Sequence, residues 1–404
     1  NHVNLSWTPG ADVTHITYAN ANDAENIQTI NLTAEEKAAG KYTLAGLQPT
    51  STYTITIYKN DVKRGQLQIT TPAAMPAANY KYSLSSDVTV ISQTLIDEIA
   101  EQAKAAAGNE TNYSATIGIP AGAKVALYGT NDTDGGKTNV TIPDGMSVTF
   151  FGLAGGETPT ITLDKNFDVA GSHAFIKFQN VKLEENGAGY FINQSKACTV
   201  GEFTLEDCEV SNIKTSFFRF QGSDAKSVGK LTLKNSIFTN LCAGYGFIHI
   251  DAKNGAGHLD NVEIDGCTFN SICVTGKVFI YSNKKDMQDI TIKNSTFYNC
   301  NGNGQYFVDF GKDAKFGPNT FTIESCIFGK SADEKTDKNI RSKTPATVAN
   351  SFRTTDFFKV IKGVIDTEFS SEQLFTDPAN GNFTIKAGTL KEKAGDPRWY
   401  VVED

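Results

Sequence analysis

The chain has 404 residues, 39% of them hydrophobic, with 37 Lys and Arg against 45 Asp and Glu, for a formal net charge of −8. That length accommodates one long domain with an ample core and a small one beside it, and abundant glycine without matching proline excludes collagen and linker-type chains. The acidic balance argues against a nucleic-acid partner, which requires a basic face, and with no run of 18 apolar residues no membrane span is expected.

Residues 1–72 read as one β module. "VNLSW" and "YTITIYK" alternate apolar and polar residues, and Gly10 and "LAGLQP" supply turns. The stretch from Leu44 to Ile57 resembles the E–F corner of a fibronectin type III domain, with Trp7 and Tyr53 at that family's core tryptophan and corner tyrosine. Almost nothing precedes Val3, so strand A of that pattern is short or missing. The opening at Asn1, without an initiating methionine, reads as a trimmed form lacking its export signal.

Residues 73–90 follow as a linker made stiff by Pro72 and Pro76. Residues 92–107 form the one predicted helix: Leu95, Ile96, Ile99 and Ala103 share a stripe, Ser92 is the N-cap and Gly108 the stop. An amphipathic helix here is expected to cover the exposed backbone edge of a following coil. Asn131-Asp132-Thr133-Asp134-Gly135 has oxygen-rich spacing. A calcium site on Asp132 and Asp134 is the weaker reading and a hairpin turn the stronger. Gly135-Gly136-Lys137-Thr138 mimics the end of a phosphate loop but lacks the first glycine and the helix.

From Phe178 to Phe352 the sequence repeats. Segments of the form I-x-N-x-x-F start at Phe178, Leu205, Leu233, Ile264, Ile292 and Ile323, separated by 27, 28, 31, 28 and 31 residues, with a degenerate copy at Val348–Phe352. The asparagine position calls for a turn conformation few residues tolerate. A second polar turn falls at Asn212, Asn240, Ser271 and Asn299, and a third strand follows in "YFINQ", "FFRFQ", "FIHID", "VFIYS" and "YFVDF". Three short strands per coil, stacked in parallel about 4.8 Å apart, make equivalent side chains ladder. The fold class is therefore all-β: a right-handed parallel β-helix over residues 91–404, with a capping helix at 92–107, preceded by a fibronectin-like β-sandwich.

Seven cysteines, an odd number without a C-x-x-C pair, are neither a disulfide framework nor a zinc site. Cys208, Cys267 and Cys326 alternate with Ser236 and Ser295 at one rung position as inward fillers. Cys242 and Cys273 on adjacent coils are close enough for a bridge, although free buried thiols are the preferred reading. Residues 333–343 read as a solvated charged loop, and residues 353–404 as a last turn or two and a tail lying along the helix.

The repeat resembles the pectin-lyase-like β-helix superfamily, which includes polysaccharide lyases and hydrolases. "YFINQS" (190–195), the N-S-x-F rungs, "YFVDF" (306–310) and "LFTDPANGNFTIKAG…AGDPRW" (374–399) look more narrowly like a family of secreted Bacteroidetes proteins of unassigned function. The resemblance implies a glycan-utilisation system, and a secreted or outer-membrane surface location through a lipid anchor upstream of Asn1. It brings no catalytic residues, and a fold does not give an activity.

In lyases of that superfamily substrate lies on the outer face of one parallel sheet, which by order corresponds here to the third strand. Strict alternation turns Ile192, Phe218, Phe220, Ile248, Ile250, Val308 and Phe310 inward. It turns Phe191, Asn193, Phe217, Arg219, Gln221, Phe247, His249, Asp251, Ile280, Ser282, Phe307 and Asp309 outward. A line of aromatics beside Asn, Arg, His and Asp suits sugar rings and their polar groups. The first expectation is a non-catalytic polysaccharide-binding monomer with no required cofactor. The alternatives are a β-eliminating lyase of acidic glycans, with Arg219, His249 or Lys277 as base and calcium as the cation to consider, or a protein-docking adhesin. A hydrolase would need carboxylates about 5–9 Å apart, and Asp251 has no such partner in the sequence pattern.

Overall fold

The computed structural model describes residues 2–9, 12–71, 73–336 and 338–400. The turn at Gly10, the linker's Pro72, Asp337 of the charged loop and the outermost domain limits at residues 1 and 404 lie outside these. The chain divides into two compact units, Asn1–Pro76 and Ala77–Asp404.

In the first unit, His2–Ser6 pairs antiparallel with Lys41–Ala45, and a four-stranded antiparallel sheet runs Asp23–Asn31, His15–Asn20, Thr52–Lys59, Val62–Thr70. Leu5 and Leu44 of the small sheet and Ile16, Tyr53 and Ile55 of the large one share one core, so the unit is a β-sandwich. The Tyr53 hydroxyl accepts from the Gln48 backbone N–H at 3.0 Å. Trp7 is half-buried against this core, a packing role. A short helix, Ala34–Ala39, is started by a Thr33/Glu36 capping box and stopped by Gly40 at φ 62°.

The second unit is a right-handed parallel β-solenoid built from three sheets. Each coil passes through sheet one (for example Cys198–Glu206), a tight turn, sheet two (Glu209–Ser211), a second turn and sheet three (Ser216–Phe220). Sheets one, two and three hold ten, eleven and eight strands. The first turn is the repeated asparagine: Asn180, Asp207, Asn235, Gly266, Asn294, Ser325 and Asn350 all have φ between 45° and 64°. This left-handed region costs most side chains about 1–2 kcal/mol but suits Asn, Asp and Gly. Asn212, Asn240, Ser271 and Asn299 repeat the device at the second turn.

Inside, Phe238, Phe269, Phe297 and Phe328 stack rung upon rung with centroids 4.9–5.1 Å apart. The Cys/Ser rung forms as expected: Ser236, Ser295 and Ser351 hydroxyls accept from the N–H of Cys208, Cys267 and Cys326. All seven cysteines are free and buried, with no bridge between Cys242 and Cys273.

Helix Gln93–Ala106 is capped by Ser92, whose hydroxyl accepts from Leu95 N–H. It buries Ile96, Ile99, Ala100 and Ala103 against the first coils. The 73–90 stretch is only partly a linker, because Tyr80–Ser83 and Val90–Ile91 are already solenoid rungs, paired with Tyr113–Ile119 and Lys124–Leu127. The 333–343 stretch is likewise not all loop: Ile340–Arg341 is a rung of sheet three. Residues 131–136 form a hairpin turn, with Asn131 and Asp134 side chains accepting from Thr133 and Gly136 N–H.

The tail contributes Phe352–Arg353 and Ile365–Asp366 as rungs of sheet two, then folds back along that sheet. Leu374, Phe375, Phe383 and Ala394 pack with Tyr298, Ile327 and Phe352 of its outer face. Gly395 N–H donates to Ser325 O at 2.8 Å and Asp396 N–H to Thr296 Oγ1 at 3.0 Å. Thr268 Oγ1 donates to Asp396 Oδ2, and Trp399 Nε1 to Thr268 Oγ1, both at 2.7 Å.

Candidate functional site

The tail occupies sheet two, so the outer face of sheet three is not beneath it. Parallel pairing sets Asn193, Arg219, His249, Tyr281, Asp309 and Arg341 in one column across six rungs. At about 4.8 Å per rung the column is about 24 Å long.

The four phenylalanines expected in it are not there. Phe191, Phe217 and Phe247 are fully buried and Phe307 is 3% exposed. They form an interior stack with Phe279, at centroid distances of 4.7–5.4 Å. The chain is rounding a corner here, and strict alternation fails. Phe217 points at Phe238 of sheet two, while its neighbour Phe218 points at Phe203 of sheet one. Two successive phenylalanines thus both face inward. Ile280 and Ser282 are also interior, and Tyr281 takes the outward place, because Phe279 rather than Ile280 continues the phenylalanine stack.

The polar members come together. Arg219 Nε and Nη2 donate to Asp251 Oδ1 and Oδ2 at 3.1 and 2.6 Å. Asp309, buried, accepts the same bidentate pair from Arg341 at 2.7 and 2.7 Å. Gln221 Nε2 donates to Asn193 Oδ1 at 2.9 Å, and one rung before Asn193, Asp168 pairs with Lys196 at 2.9 Å.

Tyrosines flank the column. The Arg219 guanidinium lies 3.7 Å from the Tyr245 ring centroid and that of Arg341 4.4 Å from Tyr306. The His249 ring stacks on Tyr281 at 4.6 Å, and Tyr190 faces Tyr245 at 6.4 Å. All four tyrosines are half-buried. Tyr190, Tyr245, Tyr281, Tyr306 and Arg341 were missed in the sequence. Arg341 stands 32 residues after Asp309, close to one repeat length, and that interval was its signal.

The electrostatics are those of a self-satisfied surface. Burial depresses the His249 pKa to about 4, Asp251 opposes the shift, and Arg219 and Lys277 reinforce it. The ring is therefore neutral at pH 7, its Nδ1 accepting from Gly246 N–H at 3.3 Å. Burial works against the Arg219 charge, but its hydrogen bonds to Asp251 and the attraction of that carboxylate together outweigh burial and hold the pKa above its ordinary value. A β-elimination needs a base with a free lone pair. Arg219 has none, His249 offers its free nitrogen to a backbone N–H, and Lys277 is half-buried at the strip's margin. Among the described residues no group of three or more His, Cys, Asp and Glu side chains is placed to hold a metal ion.

The class defined by this geometry is a parallel β-solenoid carrying an aromatic and polar strip along one outer sheet. Residues 290–399, roughly a quarter of the chain, match the model of a family described as "Domain of unknown function (DUF5123)". The matched segment comprises the last coils and the tail, ending at Trp399. No curated protein and no solved structure matches the chain.

Proposed function

We propose that this is a non-catalytic polysaccharide-binding protein, secreted or held on an outer-membrane surface by a lipid anchor, acting as a monomer in a glycan-utilisation system. The observation that carries the reading is the strip: a six-rung column that contains Tyr281 among paired polar groups, with half-buried Tyr190, Tyr245 and Tyr306 beside it. An open face about 24 Å long suits an extended polymer better than a small molecule, which requires enclosure. Tyrosine faces stack on the C–H faces of sugar rings, and arginine–aspartate pairs present donors and acceptors together for hydroxyls. In this reading the coils belong to the pectin-lyase-like group and to its Bacteroidetes relatives. The 1–72 module is a fibronectin-like spacer, supported by the Tyr53 hydroxyl at its corner.

Affinity electrophoresis in gels cast with plant and host glycans tests this. The wild-type chain is expected to be retarded in at least one gel, and a Tyr245→Ala/Tyr281→Ala variant to run freely. Equal mobility of the two in every gel would shift the reading to a protein-docking surface. Appearance of unsaturated products on incubation with acidic polysaccharide would replace binding by lyase activity.

A further inference from the structure

Resting on the glycan-binding reading above, we infer that the strip takes uncharged sugar residues and not uronates. A carboxylate ligand calls for cations whose charge is not already neutralised by a neighbouring carboxylate. Along sheet three the cations are already committed: Lys196 to Asp168, Arg219 to Asp251 and Arg341 to Asp309. His249 sits at the middle of the column as a neutral ring stacked on Tyr281.

Each pair also places a carboxylate against its cation, so at these three positions an approaching anion meets a charge already neutralised by Asp168, Asp251 or Asp309. Replacing Asp251 by a ligand carboxylate would strand the aspartate, and Arg219, with its side chain only 10% exposed, would have to leave its stack on Tyr245 to follow the ligand. Two ammonium groups stand at the margin: Lys277 near His249, and Lys338 at 5.9 Å over the Tyr306 ring. They could meet isolated carboxylates, whereas a polyuronate presents one on every sugar.

A hydroxyl fits the same surface without displacing anything. It donates and accepts at once. The more exposed members of the two bidentate pairs are Asp251, at 27%, and Arg341, at 32%, so one pair offers carboxylate lone pairs and the other guanidinium N–H to the hydroxyls of a sugar.

The test is affinity electrophoresis with paired polymers of the same backbone: polygalacturonate against its fully methyl-esterified form, together with neutral glucans, mannans, xylans and galactans, each at low and high salt. Retardation is expected in one or more uncharged gels. It should change little with salt, since no net ion pair forms, and it should be lost in Tyr245→Ala/Tyr281→Ala. Retardation only in polygalacturonate or another acidic gel, abolished by salt, would overturn the uncharged-ligand assignment while leaving glycan binding intact. Free migration in every gel would overturn the glycan reading itself.

Discussion

Replacing Phe247 by alanine separates an interior stack from an exposed aromatic line. The ring is fully buried, lies parallel to Phe217 at 4.7 Å and to Phe279 at 4.9 Å, and meets the edges of Phe238 and Phe269 at 5.3 and 5.5 Å. Phe→Ala at a site that cannot collapse costs about 3–5 kcal/mol. Here four rings are held in place by their own rungs, which puts the expected loss near the top, about 4–5 kcal/mol. An outward phenylalanine would cost no more than about 0.5 kcal/mol. Urea unfolding of the full chain, followed by circular dichroism, reads the difference. With a slope of about 3 kcal/mol/M the midpoint falls by more than about 1 M. Tyr245→Ala, on the half-buried flank, serves as the contrast and should shift the midpoint far less. A Phe247→Ala chain within about 1 kcal/mol of wild type would refute the interior stack and the register that places Arg219, His249 and Tyr281 in one column.

Three further outcomes are expected. His249 has a folded pKa of about 4 against 6.5 for the free side chain, chiefly through burial. Its contribution is complete above pH 6.5 and is lost as pH falls from 6.5 to 4, because the unfolded ring binds the proton first. Comparing unfolding of wild type and His249→Gln across that window should show an extra slope in wild type worth on the order of 1–3 kcal/mol, and identical curves would count against a neutral buried ring. Asn294→Ala should cost about 1–2 kcal/mol because φ there is 45°. Asn294→Gly should cost less in the same denaturation assay, as Gly266 occupies the equivalent turn of the preceding coil, and equal losses would argue against the strained turn. Trp399→Ala removes the bond to Thr268 and the Phe383 edge contact at 5.7 Å. It should lower stability by about 2–3 kcal/mol and speed proteolysis of residues beyond 353, while unchanged digestion would mean the tail is not held there.

Much of the solenoid was readable because its most demanding backbone positions use one residue type. Asn180, Asn235 and Asn294 recur where φ is positive, and a residue that relieves strain marks a turn wherever it recurs. The capping helix was legible for a similar reason, its stripe and its Ser92 cap agreeing with each other. The strip was harder to read. Alternation holds along a straight strand but not around the corner at Phe217–Phe218, and "VFI" at 278–280 is apolar throughout, so it carries no phase of its own. Pairing with the coil before fixed what the local pattern left open. Arg341 sat in a polar stretch with Ile340 as its one strand signal, and Tyr245 and Tyr306 lie in inter-strand segments outside the repeated motif.

The returning tail changes how such a stack comes apart. Coils of a solenoid touch only their neighbours, so an unprotected end can fray one rung at a time. Here a single segment spans the coils of Thr268, Thr296 and Ser325, reaching Thr268 from 131 residues away. Closing that loop rather than a one-coil loop of 28 residues adds only about 1 kcal/mol of entropy, because the cost grows with the logarithm of length. Those three coils must therefore open together, after the strap lets go, and later residues lock ones synthesised long before them.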